Sequence, residues 1–331
     1  MKWDYICKYI KNQTQLKIHH LNQQVDVNHP AITIGFFDGV HKGHRKVIDT
    51  LRREAQRHQV ASAVVTFWPH PRWITGGGDK LKLLSTLAEK TRLIELCGVD
   101  HLIIIPFTPE FATLSAMDFL KQYIADKIKP GHLIIGYDHH FGNNREGDTG
   151  MLKKVAGEFK FILHTVNAAD ENEIAISSTK IRNLLLQGEV EKASLLLGRR
   201  YDFSSVVVKG LQIGREIGYP TANLHLEDNY KLLPADGVYL VIADFETRKE
   251  FGLLNIGKNP TIPEKKLTHT IELHILNVNE NLYNQHIHVS FICRLRDEML
   301  LYSKEALTRQ IATDIENARQ IIRQKQISLK P

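Results

Sequence analysis

The run Gly35-Phe36-Phe37-Asp38-Gly39-Val40-His41-Lys42-Gly43-His44-Arg45 places two imidazoles three residues apart, where an apolar strand gives way to a helix. His41 and His44 then share one face of a first helical turn, whose unpaired N–H groups and partial positive charge attract anions. Gly35, Gly39 and Gly43 let the backbone come close to such an anion. The chemistry that suits the set is the holding of a triphosphate. The same two histidines would also serve as a metal pair, but a third ligand is then wanted and no cysteine or Glu-rich partner lies nearby. Histidines that merely face solvent remain a third reading of this segment taken alone.

Three more strings in the first half follow strand-like runs. Pro69, His70 and Pro71 lie in Thr66-Phe67-Trp68-Pro69-His70-Pro71-Arg72, a turn stiffened by two prolines, with aromatic surface that suits a flat ring or a packed loop. Asp138 and Phe141 lie in Gly136-Tyr137-Asp138-His139-His140-Phe141-Gly142, where the carboxylate either caps a turn or meets a ligand. Ser177, Ser178 and Thr179 open a helix in the ordinary capping manner. Lys180 and Arg182, however, oppose the dipole so near a helix start, and a bound anion there would offset the conflict.

The second half carries a different set. Gly214-Arg215-Glu216-Ile217-Gly218-Tyr219-Pro220-Thr221-Ala222-Asn223 is a glycine-bearing loop followed by Thr and Asn, side chains able to bind phosphate oxygens and a hard cation. Glu272 lies in Thr270-Ile271-Glu272-Leu273-His274-Ile275-Leu276, an alternating strand that points it to one face with His274. Without further context it reads as a solvent-facing glutamate on an edge strand.

The elements that must position these residues fall into two textures. From residue 31 to about 166, strand-like runs at 31–34, 61–67, 101–107, 132–137 and 160–166 alternate with helical segments at 45–59, 86–97, 115–128 and 149–159. Such alternation predicts a parallel sheet covered on both faces, with ligands at the carboxyl ends of its strands. The short apolar run Ile174-Ala175-Ile176 leads into helices at 179–187 and 190–197. Beyond them, strand-like runs at 201–209, 237–244, 250–256, 268–276 and 286–295 and one long helix from Ser303 to about Gln324 predict a small β-barrel domain. The expected fold class is therefore α/β, a parallel Rossmann-like sheet followed by a β-barrel, with the boundary near residue 188.

A length of 331 residues fits two domains, and 43% hydrophobic residues fit a globular protein. Lys and Arg total 43 against 37 Asp and Glu, a net charge of +6 that favours anionic ligands in general. No basic run with interleaved aromatics appears, so nucleic acid is not an expected partner. Cys7, Cys97 and Cys293, odd in number and far apart, suggest neither disulfides nor a metal cluster and fit a reducing cytoplasm. Neither a signal peptide nor a run of membrane-spanning length is read in the sequence, so no membrane partner is expected.

Taken together, these strings resemble the bacterial bifunctional riboflavin kinase/FMN adenylyltransferases, also called FAD synthetases, over nearly the whole length. The resemblance implies an FMN adenylyltransferase domain over 1–188 and a riboflavin kinase domain over 189–331. It implies that His41 and His44 hold the phosphates of ATP, with Ser178, Thr179 and Arg182 completing the grip. Gly35, Phe37, Asp38, Gly39, Gly43, Pro69, His70, Pro71, Asp138, Phe141 and Ser177 would line the ATP and FMN positions. In the second domain the resemblance places ATP and riboflavin at Gly214, Arg215, Gly218, Pro220, Thr221, Ala222 and Asn223, with Thr221 and Asn223 on Mg²⁺. Asn255, Gly257, Pro260 and Thr261 form a second matching turn, and Arg296 frames the flavin or nucleotide. It assigns Glu272 as the base, and kinase logic agrees, because the ribityl hydroxyl of riboflavin is a poor nucleophile until its proton is taken. The phosphate of FMN is already anionic, so adenylyl transfer requires positioning and charge neutralisation and no base. The resemblance thus implies Mg²⁺, with ATP as co-substrate and riboflavin, FMN and FAD as substrates or products, acting as a monomer or weak transient oligomer. This chain departs from the family strings at Phe36, where Asn is usual, at Ile262, where Phe is usual, and at Asn284, where Gly is common. Retention of only one activity, or a flavin- or nucleotide-sensing regulator, are the competing readings.

Overall fold

Val, Ile and Leu dominate the runs at 31–34, 62–68, 101–106 and 132–136 because these strands are buried on both faces, which leaves no polar face to alternate with. The computed structural model describes residues 15–21, 27–76, 81–167, 176–210, 218–258, 269–276, 278, 280–299 and 303–329. Gly214, Arg215, Pro260, Thr261 and most of the run Ile174-Ala175-Ile176 lie outside the described residues. The chain divides into two compact units, 1–177 and 178–331.

The first unit runs β1 (Lys17–His20), β2 (Ala31–Ile34), α1 (Lys42–His58), β3 (Ser62–Trp68), α2 (Leu87–Leu96), β4 (His101–Pro106) and α3 (Ala116–Phe119). A π-helix over Leu120–Ile128 continues α3, and β5 (His132–Gly136), α4 (Thr149–Val155) and β6 (Ile162–Val166) follow. The strands pair in the order β1-β4-β3-β2-β5-β6, all parallel. On one face Ile32, Ile34, Val65, Ile103 and Leu133 pack with Phe119, Leu120, Ile124 and Ile128. On the other, Val64, Leu102, Ile104 and Ile134 pack with Ile48, Leu51 and Ala55 of α1 and Leu93 and Ile94 of α2. Each such side chain contributes about 1.5–3 kcal/mol by leaving water.

Strand order reverses at β2: the chain moves outward from β2 through β3 and β4, then returns to add β5 on the other side. The crevice outside the carboxyl ends of β2 and β5 is where such sheets bind ligands. The strings beginning at Gly35 and at Gly136 leave the sheet at these two ends.

Two elements differ from expectation. β1 was not anticipated, because Lys-Ile-His-His is a half-exposed edge strand without an apolar run, and its pairing with β4 supplies what its sequence lacks. The single helix expected at 115–128 widens into a π-helix, with Lys129 N–H reaching back five residues to the Ile124 carbonyl.

The second unit runs α5 (Ser178–Leu186), α6 (Val190–Leu197), β7 (Asp202–Val208), β8 (Ala222–His225), β9 (Gly237–Phe245), β10 (Arg248–Lys258), β11 (His269–Ile275), β12 (His286–Arg296) and α7 (Lys304–Gln324). Its six strands close a barrel in the order β10-β11-β8-β7-β12-β9, every pair antiparallel. Tyr201, Phe203 and Tyr239 surround Phe291, with ring centroids 5.2–6.1 Å apart. Helix α7 covers Leu240, Ile242, Leu253 and Leu276 with Ile315, Ala318 and Ile322. β8 was read as loop because its four residues carry Asn and His beside two apolar positions; pairing with β7 and β11 on either side makes it a strand. Asn284, where Gly is common in the family, takes a left-handed conformation that Asn tolerates, at φ 66°.

Away from the carboxyl ends of the strands, His132 Nδ1 and His164 Nε2 lie 3.1 Å apart and His58 stacks on His132 at 4.0 Å. Glu54 stands 3.6 Å from His58 and 3.8 Å from His164. Burial and the two neighbouring imidazoles hold the His132 pKa below its ordinary value. A proton therefore binds the unfolded chain first, and stability falls as pH drops below about 6.5 toward the folded value. Thermal unfolding of the parallel-sheet unit is expected at lower temperature at pH 5.5 than at pH 7.5, with a smaller difference in His132→Gln. An unchanged difference in that variant would assign the acid sensitivity elsewhere.

Candidate active sites

The turn from β2 into α1 runs through left-handed backbone at Phe37 (φ 50°), Gly39 (φ 75°) and Val40 (φ 38°). Asp38 holds it there: its buried carboxylate accepts from the backbone N–H groups of Leu84 and Ser85, both at 3.1 Å, while Ser85 Oγ accepts from Gly39 N–H at 3.0 Å. Asp38, expected at the ligand, thus ties the turn to the segment before α2.

His41 is the N-cap of α1, and its Nδ1 accepts from the His44 N–H at 3.3 Å. The two imidazoles stack at 3.6 Å, 17° from parallel, and the buried Phe37 ring meets His44 edge-on at 5.2 Å. A Cβ on Gly43 would stand 3.2 Å from the His41 ring and 3.7 Å from the Ile176 carbonyl, so the chain entering Ser177 returns to this turn. Burial, then the fields of His41 and Lys90, push the His44 pKa well below the ordinary value. Its Nδ1 is buried without a hydrogen-bond partner. Such an atom favours a ligand that supplies the missing partner, and phosphate oxygens fit the site on this ground.

Around it, exposed Phe36 lies 5.4 Å from His70 and 5.3 Å from Phe67, so the loop after β3 reaches the turn after β2. His70 caps the single helical turn Pro71–Ile74. Asp138 is exposed in the turn after β5, and Phe141 packs toward Phe119 with Gly147 beneath its ring. Ser178, Thr179 and Arg182 stand in the first turns of α5, in the second unit.

Lys90 was missed. It is buried on α2, and its Nζ donates to the Phe36 carbonyl and to Thr66 Oγ1, both at 3.2 Å. A signal was present, because Leu87, Lys90, Leu93, Ile94 and Cys97 share one helical stripe, which puts a lysine where a core residue belongs.

In the barrel, β11 pairs Glu272 with Asn255 of β10 on one side and with Asn223 of β8 on the other. Thr221, just before β8, donates its hydroxyl to the Glu272 carboxylate. Burial pushes the Glu272 pKa up, and the Thr221 bond draws it partly back. His274, two residues on, meets the Pro220 carbonyl at 2.9 Å; a carbonyl only accepts, so Nδ1 carries the proton. Thr221, Asn223, Asn255 and Glu272 thus come together, a set of hydroxyl, amide and carboxylate oxygens of the kind that holds a hard cation. Gly218, Pro220 and Ala222 stand in or beside the same segment, and Gly257 lies two residues beyond Asn255 on β10.

Arg296, expected at the flavin or nucleotide, is held to the last helix of the unit. Its Nε and Nη2 donate to the buried Asp314 of α7 at 2.9–3.1 Å, and Nη1 donates to the Asp297 carbonyl.

A parallel α/β sheet with an anion-receptive helix start at its switch point, joined to a closed barrel bearing a carboxylate among phosphate- and cation-type ligands, defines a two-domain transferase of the phosphoryl- and nucleotidyl-transfer class. Residues 23–180 match the FAD synthetase family and residues 197–322 the riboflavin kinase family. A bifunctional riboflavin kinase/FMN adenylyltransferase from Buchnera aphidicola (subsp. Schizaphis graminum) is 36% identical, over 90% of this chain and 95% of that protein. Those from Escherichia coli K12 and Bacillus subtilis 168 are each 34% identical, over 92% and 91% of this chain and 96% and 94% of theirs. A solved structure from Streptococcus pneumoniae, described as a macrolide-efflux protein, superimposes with a TM-score of 0.81 at 30% identity, covering 91% of this chain and 98% of that one. The chain belongs to the bifunctional riboflavin kinase/FMN adenylyltransferase family. Among the described residues no helix is long and apolar enough to cross a membrane.

Breaking a buried ion pair strands the remaining charge and costs about 3–5 kcal/mol. Because Arg296 keeps some exposure, Asp314→Ala is expected to lower barrel stability by about 3 kcal/mol, read from the urea midpoint of the full chain. A loss under about 0.5 kcal/mol would show that the pair does not hold α7 to β12.

Proposed function

We propose that the chain makes FMN and FAD at two separate sites. The barrel transfers the γ-phosphoryl group of ATP to the ribityl hydroxyl of riboflavin, giving FMN and ADP. The parallel-sheet unit joins the phosphate of FMN to the α-phosphorus of ATP, giving FAD and pyrophosphate. The observation that carries the reading is the row Asn255, Glu272 and Asn223 across three strands, with Thr221 bonded to Glu272.

At the barrel, Glu272 takes the proton of the attacking hydroxyl, and its raised pKa makes it a stronger base than an exposed carboxylate. Thr221 orients that carboxylate. Thr221 and Asn223 would hold Mg²⁺, which when bound neutralises charge on the phosphates of ATP. At the sheet, His41 and His44 with the N–H groups of α1 meet the triphosphate and stabilise charge growing on the departing pyrophosphate. By the family resemblance, Ser177, Ser178, Thr179 and Arg182 would complete this grip, and Pro69, His70, Pro71, Asp138 and Phe141 would border the adenine and flavin phosphate positions. Cysteine usage supports a cytoplasmic enzyme whose partners are small molecules.

Glu272→Gln is expected to lower FMN formation from riboflavin by about 10²–10⁴-fold and leave FAD formation from supplied FMN intact. His44→Ala is expected to lower FAD formation by about 10²-fold and leave FMN formation intact. Loss of both activities in either folded variant would reject separate sites, and absence of ATP turnover would favour a regulator. Since Glu272 works deprotonated, kcat/KM for riboflavin is expected to fall on acidification with an inflection above that of an ordinary glutamate, seen in a pH-rate profile.

A further inference from the structure

Lys90 belongs to none of the motifs, yet its side chain reaches the carbonyl of Phe36, the residue that leads into the His41/His44 turn. It is 5% exposed, and its two 3.2 Å bonds join the last residue before the left-handed turn to a hydroxyl on β3. An ammonium has three donors, and these bonds use two. Its Nζ also lies 5.7 Å from the Trp68 ring. Helix α2 brings it there through a complete capping box: Thr86 Oγ1 accepts from Glu89 N–H while the Glu89 carboxylate accepts from Thr86 N–H. The same segment supplies the Leu84 and Ser85 N–H groups that hold Asp38. One stretch of chain therefore fixes both ends of the turn, Phe36 through Lys90 and Asp38 through the amides.

We propose that Lys90 is a positioning residue for adenylyl transfer, a buried cation that fixes the Phe36 carbonyl and supplies positive potential to the phosphate site at His44. The inference rests on the proposed FMN adenylyltransferase activity of this unit. The fixed carbonyl sets the chain direction into Phe37–Val40, and so the place at which His41 and His44 meet a polyanion. The positive field reaches His44 directly and, together with burial and His41, keeps that imidazole uncharged in the free protein. A bound polyanion reverses this balance, because its charge favours the ammonium that burial opposes.

The titratable groups facing Lys90 are Asp38 from the turn and His44 from α1, with His41 stacked behind His44. Burial lowers the Lys90 pKa to about 8 against the opposing field of Asp38. The cation is thus lost as pH rises through about 8, whereas an arginine at the same place would keep its charge.

The test uses the full chain as wild type, Lys90→Met and Lys90→Arg, with FAD formation from FMN and ATP followed between about pH 6.5 and 9.5. Riboflavin phosphorylation by the same preparations is the internal control, since it belongs to the other unit. Wild type is expected to lose kcat/KM for ATP above about pH 8. Lys90→Met is expected to lose about a hundredfold near neutrality, and Lys90→Arg to keep activity within about tenfold while its alkaline fall disappears. Kinase activity should be equal in all three. Lys90→Met within about threefold of wild type, or an unchanged alkaline fall in Lys90→Arg, would overturn the proposal. If Lys90→Met fails to fold, the Lys90→Arg profile decides alone. A wild-type chain that makes no FAD overturns the proposed function and this inference with it; FAD formation indifferent to Lys90 overturns this inference only.

Discussion

Everything at the first site depends on a backbone turn that L-residues resist. Phe37 and Val40 sit at positive φ with Gly39 between them, and each non-glycine residue there costs roughly 1–2 kcal/mol. The turn persists because a buried carboxylate finds two amide donors and a serine hydroxyl finds a third amide, all supplied by or bonded to one short segment. Only with that tie in place does α1 begin at Lys42, with His41 as its cap and His44 stacked upon it. Removal of the tie would free the turn to relax and swing both imidazoles together.

The two sites solve different chemical problems with correspondingly different materials. In the sheet, the materials are a helix start, a pair of stacked imidazoles of which burial holds His44 well below its ordinary pKa, and a buried lysine behind them. None of these needs to move a proton when the attacking group is a phosphate. In the barrel, a carboxylate is half-withdrawn from water and tuned upward, and a threonine hydroxyl steadies it. Proton transfer from an alcohol demands just such a group.

Much of this was legible in the sequence, for identifiable reasons. Strands β3, β4 and β5 announce themselves because parallel strands buried on both faces are written as apolar runs, and the strings after them name the strand ends. The face of Glu272 was legible from period-2 alternation, while its role as base rests on the family resemblance and on the need of an alcohol nucleophile for one. What escaped depends on partners distant in the chain. β1 and β8 gain their extended form from adjacent strands, and the π-helix carries Leu120, Ile124 and Ile128 into a core whose other residues lie far along the chain. Asp38 and Arg296 stand out in their strings as charges, but the amides of Leu84 and Ser85 and the carboxylate of Asp314 that hold them lie far along the chain. No local pattern reveals such a long-range partner. Lys90 stands between these cases, since a charge within an apolar stripe marks something unusual without naming what it touches.

The closed barrel has a consequence for how this protein can diversify. A ring of six hydrogen-bonded strands has no free margin at which a change in length can be absorbed, so one residue lost within β11 ahead of Glu272 would exchange its face with that of Leu273. Among the described residues the register slips in β12, between Phe291 and Cys293 and again between Arg294 and Arg296. Insertions and deletions should therefore accumulate during descent in the connecting loops and along β12, while the spacing from Asn255 to Glu272 across β10 and β11 drifts only through the connection between them.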